Sequence, residues 1–193
     1  MASPLPLRSG TSENPDGTKT EYFEVEPTEE NLRSLIQELF EDNWEHIIFG
    51  PCVQGAVFEI RFFEKPRIGY QDGYLTIGPT SWHFHLCVGP HKGSDTRPTP
   101  PELAATRRCS RAAFFRDLDR AGRQSSWGFR MWNGKDEQMI TVFFPNPWLD
   151  PEKSDYVETP DWKRLALWMR LRERYAGIPV EPPPTDSGPP QMH

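Results

Sequence analysis

The chain of 193 residues has little cysteine: three in all, Cys52, Cys87 and Cys109, with no CxxC pair among them. An odd number without the spacing of a disulfide framework excludes a small cross-linked extracellular scaffold and points to a reducing compartment. Long apolar runs are missing too. No stretch approaches the roughly 18 residues of a membrane-spanning helix, and no secretory leader reads at the N-terminus. The expectation is a cytoplasmic protein that does not engage a membrane. Positive charge is in deficit, with 22 Lys and Arg against 28 Asp and Glu, for a net charge of −6. Nucleic-acid binding needs a basic footprint, so nucleic acid is not an expected partner. A Gly-rich phosphate loop, a dinucleotide fingerprint and a nucleophile elbow are all absent, which removes the commonest motif-bearing enzyme classes.

What the chain does have is proline, 21 residues, many of them in the two ends and the loops. Residues 1–20 show almost no apolar periodicity and read as a disordered tail, and residues 179–193 read as a Pro-rich C-terminal tail. Residues 21–178 are expected to form a single domain. Thr28 is a plausible N-cap for a helix whose Leu32, Leu35, Ile36, Leu39 and Phe40 recur at helical spacing. Strand candidates follow at Glu45 to Phe49, Ala56 to Phe63, Tyr74 to Ile77, after a turn from Gly69 to Gly73, and around His83. A helix is expected from Pro101 to about Ala121, then a hairpin from Trp127 to Phe144 turning at Asn133-Gly134, then a last helix from Asp161 to Tyr175 capped by Thr159-Pro160. Strands cluster rather than alternate with helices. The expected fold is therefore α+β: an antiparallel sheet of about five to seven strands packed with three helices.

The most informative stretch is Ser81 to His91, which holds three of the five histidines and one of the three cysteines. Side chains alternate faces along a strand. Trp82, Phe84, Leu86 and Val88 would share a buried face, and His83, His85 and Cys87 would line the other. Alternate imidazoles sit about 6–7 Å apart at Cα, within reach of one ion. Imidazole and thiolate are ligands for zinc, and imidazole also serves iron. His83, His85, Cys87 and His91 are thus the candidate ligands of a divalent metal, zinc or iron. The bland alternative is that the histidines bond across the sheet and Cys87 is a small buried hydrophobe. His46 stands alone and reads as structural.

Arginine supplies the second signal. On the helix expected from Pro101, Arg107 and Arg111 fall on the apolar face with Leu103, Phe114 and Leu118. An inward-turned arginine must be paired or must meet an anion, and its fork suits carboxylate or phosphate. Arg116 and Arg120 fall opposite and are expected to pair with Asp117 and Asp119. Glu59 and Arg61 on the Ala56 strand, and Arg130 on the hairpin, are further lining candidates if their polar faces coincide with that of His83. The last helix carries two apolar rows, Trp162, Leu165, Ala166 and Met169 on one and Leu167, Trp168, Leu171 and Tyr175 on the other. That excess suggests a homodimer interface.

A strand ending in a His pair, a hairpin turning at Asn-Gly and a helix opening with Trp together resemble the bacterial haem-utilisation proteins, over about residues 70–170. The resemblance implies an antiparallel-sheet haem carrier or haem-degrading protein, with a haem ligand among His83 and His85 and arginines meeting the propionates. Locally, the His pair around Phe84 also looks similar to the zinc strand of the α-carbonic anhydrases, but the chain is short for that fold. Three readings follow. The first is a metalloenzyme acting on a small anionic substrate, the second a haem or tetrapyrrole protein, the third a non-catalytic interaction protein.

Overall fold

The computed structural model describes residues 9–53, 55–153, 155–184 and 189–190. In chain order the strands are β1 (Ser9–Glu13), β2 (Lys19–Val25), β3 (Ile48–Gly50), β4 (Cys52–Val53), β5 (Ala56–Val57), β6 (Arg67–Gln71), β7 (Tyr74–Gly78), β8 (Phe84–Cys87), β9 (Gly93–Ser94), β10 (Arg97–Pro98), β11 (Cys109–Leu118), β12 (Gln124–Asn133) and β13 (Gln138–Phe143). The α-helices are α1 (Glu29–Gln37), α2 (Pro101–Arg107) and α3 (Ala166–Ala176). Six strands form the main sheet in the order β1-β2-β11-β12-β13-β3, and β6-β7-β8 form a second. The fold is α+β with antiparallel pairing. Contacts divide the chain into two units. The first takes the described parts of Met1–Val25, Ala113–Phe129 and Phe143–His193, and the second takes Glu26–Ala112 and Arg130–Val142.

In the first unit, α3 lies on β2, with the Phe23 and Trp168 rings 5.8 Å apart and edge-on. The Trp168 indole N–H donates to the Gly128 carbonyl at 3.1 Å, which satisfies the polar end of a buried aromatic. Phe114 of β11 meets both Phe129 and Trp168. A short 3-10 turn, Trp162–Leu165, precedes α3, and the Asp161 carboxylate caps it by accepting from the Lys163 N–H. The start is thus Asp161 rather than Thr159-Pro160. The helix ends at Gly177 in the left-handed conformation, φ 68°. Leu165, Trp168, Leu171 and Ala176 are buried, and Leu167, Met169 and Tyr175 are half-buried within the same chain. The second apolar row that suggested a homodimer is therefore partly used at home.

In the second unit, α1 forms as its cap and stripe require. The Thr28 hydroxyl accepts from the Asn31 N–H at 3.2 Å, and Leu32, Leu35 and Ile36 are buried. The helix widens into a π-turn over Glu38–Asp42 that carries Leu39 and Phe40 into the core. Phe40 stands edge-on to Phe49, Phe62 and Phe84, and Phe49 lies tilted against Phe62 and Phe84, with centroids 4.9–6.0 Å apart. Leu75, Ile77 and Leu86 bury the inner face of the β6-β7-β8 sheet.

Several expected elements differ. Residues 1–8 of the expected tail lie outside the described residues, but Ser9–Glu13 is a strand paired with β2. The C-terminal stretch is tied down where it is described, because the Pro179 carbonyl accepts from Arg172 at 3.0 Å. A 3-10 turn takes Trp44–His46, so the expected Glu45 strand begins only at Ile48. The Ala56 to Phe63 strand is reduced to Ala56–Val57 and a single bridge from Ile60 to Phe49. The largest correction concerns Pro101 to Ala121. The helix stops at Arg107, Arg108 turns extended (φ −67°, ψ 141°), and Cys109–Leu118 is a ten-residue strand. Ala112-Ala113-Phe114-Phe115 are buried side by side, as a strand covered on both faces requires. Sheet pairing outweighs the helix preference of the alanines.

Candidate functional site

Register within the small sheet assembles the site. Asp72 and Gly73 both have positive φ, 46° and 82°, as a two-residue type I′ hairpin demands. That turn pairs Gln71 with Tyr74, Gly69 with Thr76 and Arg67 with Gly78, and β7 in turn pairs Tyr74 with Cys87 and Thr76 with His85. Directly opposed residues share a face. The face opposite Leu75, Ile77 and Leu86 therefore carries Gln71, Tyr74 and Cys87 at one end and, at the other, five adjacent positions, Arg67, Gly69, Thr76, Gly78 and His85. Two of the five have no side chain, so the floor is shallow and open.

Gly78 is required by close approach. A Cβ there would lie 2.3 Å from the Trp82 carbonyl oxygen and 2.6 Å from the His83 Cα, whereas one at Gly69 would meet nothing within 4 Å. The chain before β8 thus folds down over Gly78, which sets His83 beside His85. Their ring centroids are 5.0 Å apart at 80°, and both side chains are exposed. His85 Nδ1 lies 2.9 Å from Thr76 Oγ1. With Nδ1–H donating to that hydroxyl, Nε2 keeps its lone pair for the solvent side. This is the arrangement that orients a ligating imidazole.

The other expected ligands are placed elsewhere. Cys87 points to the same face but is buried, and its thiol donates to the Gly89 carbonyl at 3.5 Å. Burial holds that thiol above its ordinary range, against Tyr74 and Arg107, which act the other way. His91 lies past the Gly89-Pro90 turn, where Nδ1 meets the Asp72 carboxylate at 2.9 Å and the ring stands edge-on to Tyr74. Asp72 also accepts from the Lys92 and Gly93 N–H groups at 2.9 and 2.8 Å. Those two bonds, with His91 behind them, hold its carboxyl below the usual range. This is a loop clamp. Among the described residues, no group of three or more His, Cys, Asp or Glu side chains is placed to hold a metal ion.

The arginines divide as well. Arg107 ends α2 exposed and reaches the Tyr74 hydroxyl, whose pKa burial raises and the Cys87 thiol raises further, while Arg107 opposes both. Arg111 is on β11 rather than on a helix face, and its guanidinium stacks 4.2 Å from the Trp132 ring. Arg130 approaches the same ring at 6.0 Å and donates to Thr141 Oγ1 at 3.1 Å. These two form a cation–aromatic cluster of their own. Glu59 and Arg61 are exposed on irregular chain, so strand alternation cannot aim them. Arg61 lines a cleft of about 310 Å³ with Phe62, Phe63 and Trp82, on the aromatic side of the His83 segment. Arg116 pairs with Glu21 and Glu181, and Arg120 donates to the Asp16 carbonyl, neither with the expected aspartates.

Thr76, Arg67 and Gly78 were not singled out from the sequence. The Asp72-Gly73 turn contained the signal, because a two-residue hairpin sets β6 against β7 residue by residue.

No curated protein matches the chain. A solved structure titled "Crystal structure of ChuX" aligns over 76% of this chain and 73% of that one, with a TM-score of 0.48 and 11% sequence identity. A family model described as "Family of unknown function (DUF7676)" matches residues 9–177. The chain belongs to that family.

Proposed function

We propose that the open face of the β6-β7-β8 sheet binds haem or a related metallated tetrapyrrole through His85, with His83 beside it, and that the protein carries this ligand. The observation that carries the reading is the 2.9 Å His85–Thr76 bond, which, with Nδ1–H as donor, directs the Nε2 lone pair outward at a position where no third protein ligand stands among the described residues. A zinc site needs three or four protein ligands. A haem iron brings four nitrogens of its own and takes one or two from the protein. The exposed His83–His85 pair supports the second reading better than the first. Arg67, opposite Gly78 on the same face, offers a guanidinium for a ligand carboxylate. When bound, the iron would supply the spectroscopic signature and any redox chemistry; the chain's residues orient the imidazole and meet the carboxylate. An unwalled face does not exclude water as a degrading enzyme would. It suits a ligand that is held and passed on.

The test is a hemin titration followed by absorbance, with the metal-free porphyrin alongside. Saturation at one hemin per chain with a shifted Soret band is expected. His85→Ala should weaken binding at least tenfold, and Thr76→Val by roughly 10-fold through loss of the orienting bond. Equal binding by wild type and the His83→Ala/His85→Ala double variant would remove the assignment. Stoichiometric zinc retained against a chelator would point back to the metal-ion reading.

A further inference from the structure

Within the first unit, Arg172 of α3 is 1% exposed and lies between the Phe23 and Trp168 rings, its guanidinium carbon 4.8 and 4.6 Å from their centroids. Its Nη2 donates to the Pro179 carbonyl at 3.0 Å. Nε and Nη1 are buried without a hydrogen-bond partner among the described residues, and so is the Trp127 indole nitrogen. All three belong to side chains that line a cavity of about 140 Å³, together with Arg116, Gln124 and Met169. The countercharges are Glu21, which pairs with Arg116, and Glu181, a half-exposed residue on the extended chain after α3. One of its oxygens serves both arginines, at 3.1 Å from Arg116 and 3.7 Å from Arg172.

That is poor use of two guanidiniums. A carboxylate seated on arginine forms short paired bonds, yet here the buried partner receives only a long contact. We propose that Arg116 and Arg172 form a binding site for a small carboxylate with a short apolar tail, a site that Glu181 occupies as an internal stand-in. The two arginines supply the charge, Trp127 and Gln124 supply further donors, and Trp168 and Met169 supply the apolar wall. Exchange of one carboxylate for another conserves the local charge. Glu181 is exposed and lies on extended chain outside the sheet, so its side chain can swing away from the arginines without breaking a strand pairing. The size of the cavity limits the ligand to a few heavy atoms.

The experiment uses the full chain and Glu181→Gln, with acetate and propionate as probes against sodium chloride at equal ionic strength, read by thermal melting and tryptophan fluorescence. Glu181→Gln should melt below wild type. Acetate should raise its Tm saturably, by about 5–10 °C at a hundredfold excess over Kd, with a smaller rise in wild type, where Glu181 competes. Adding Arg172→Met, or Arg116→Gln if the first does not fold, should abolish the rise. An acetate effect no larger than that of chloride in Glu181→Gln overturns the site. Phosphate acting more strongly than either carboxylate overturns the ligand class.

Discussion

At the scale of single residues, the three cysteines show how environment decides chemistry. Cys52 is half-exposed, whereas Cys87 and Cys109 are buried. Burial pushes the Cys109 thiol from an ordinary 9.0 up to about 12. The folded chain therefore keeps a proton that the unfolded chain loses first, and this group leaves stability unchanged below pH 9. Between pH 9 and pH 12 it draws stability down, by up to about 1.4 kcal/mol per pH unit. Denaturant titrations of wild type and Cys109→Ala across that range should show the gap between them narrowing as pH rises; parallel curves would refute the linkage. His83 and His85 illustrate the opposite case. His85 on β8 and His83 just before it stay exposed, although Cys87 further along the same face is buried, and their value lies in being reachable.

Element by element, close packing of backbone positions the site. The Asp72-Gly73 turn sets the register that brings Thr76 to His85, and Gly78 lets the chain before β8 descend onto the sheet. Gly78→Ala would force the Trp82 carbonyl away by more than an ångström, so we expect a loss of about 1–3 kcal/mol and weaker hemin binding. Gly69→Ala, with open space around its Cβ, should change stability by less than about 0.5 kcal/mol. Equilibrium unfolding of the pair distinguishes close approach from generic intolerance of the sheet. β11 carries the other lesson at this scale. Its Cys109–Leu118 run satisfies helical spacing at Phe114 and Leu118 and also reads as a buried strand. Short apolar runs fit both periods, and partners distant in sequence choose between them.

For the whole molecule, the C-terminal segment is a structural part rather than a loose end. The Pro179 carbonyl accepts from the buried Arg172 guanidinium, and Glu181 lies beside it as a countercharge. Ending the chain after Gly177 would strip Arg172 of both, and we expect a loss of about 1–3 kcal/mol, the cost of leaving buried donors unmet. Chemical denaturation of the shortened chain measures it, and unchanged stability would show that solvent replaces the segment freely. The sequence by itself determined the α+β class, α1 with its Thr28 cap, the hairpin near Asn133-Gly134 and α3, because caps, turn residues and amphipathic stripes act over a few neighbours, although that hairpin turns over residues 134–137 with Asp136 at positive φ. It also singled out His83 and His85, of which His85 lies on β8 and His83 just before it. Tertiary structure alone decided that β11 is a strand, that Cys87 is buried and His91 bonds to Asp72, and that Thr76 bonds to His85. Each of these depends on which strand lies beside which, and on what covers a face, and neither is encoded in local spacing.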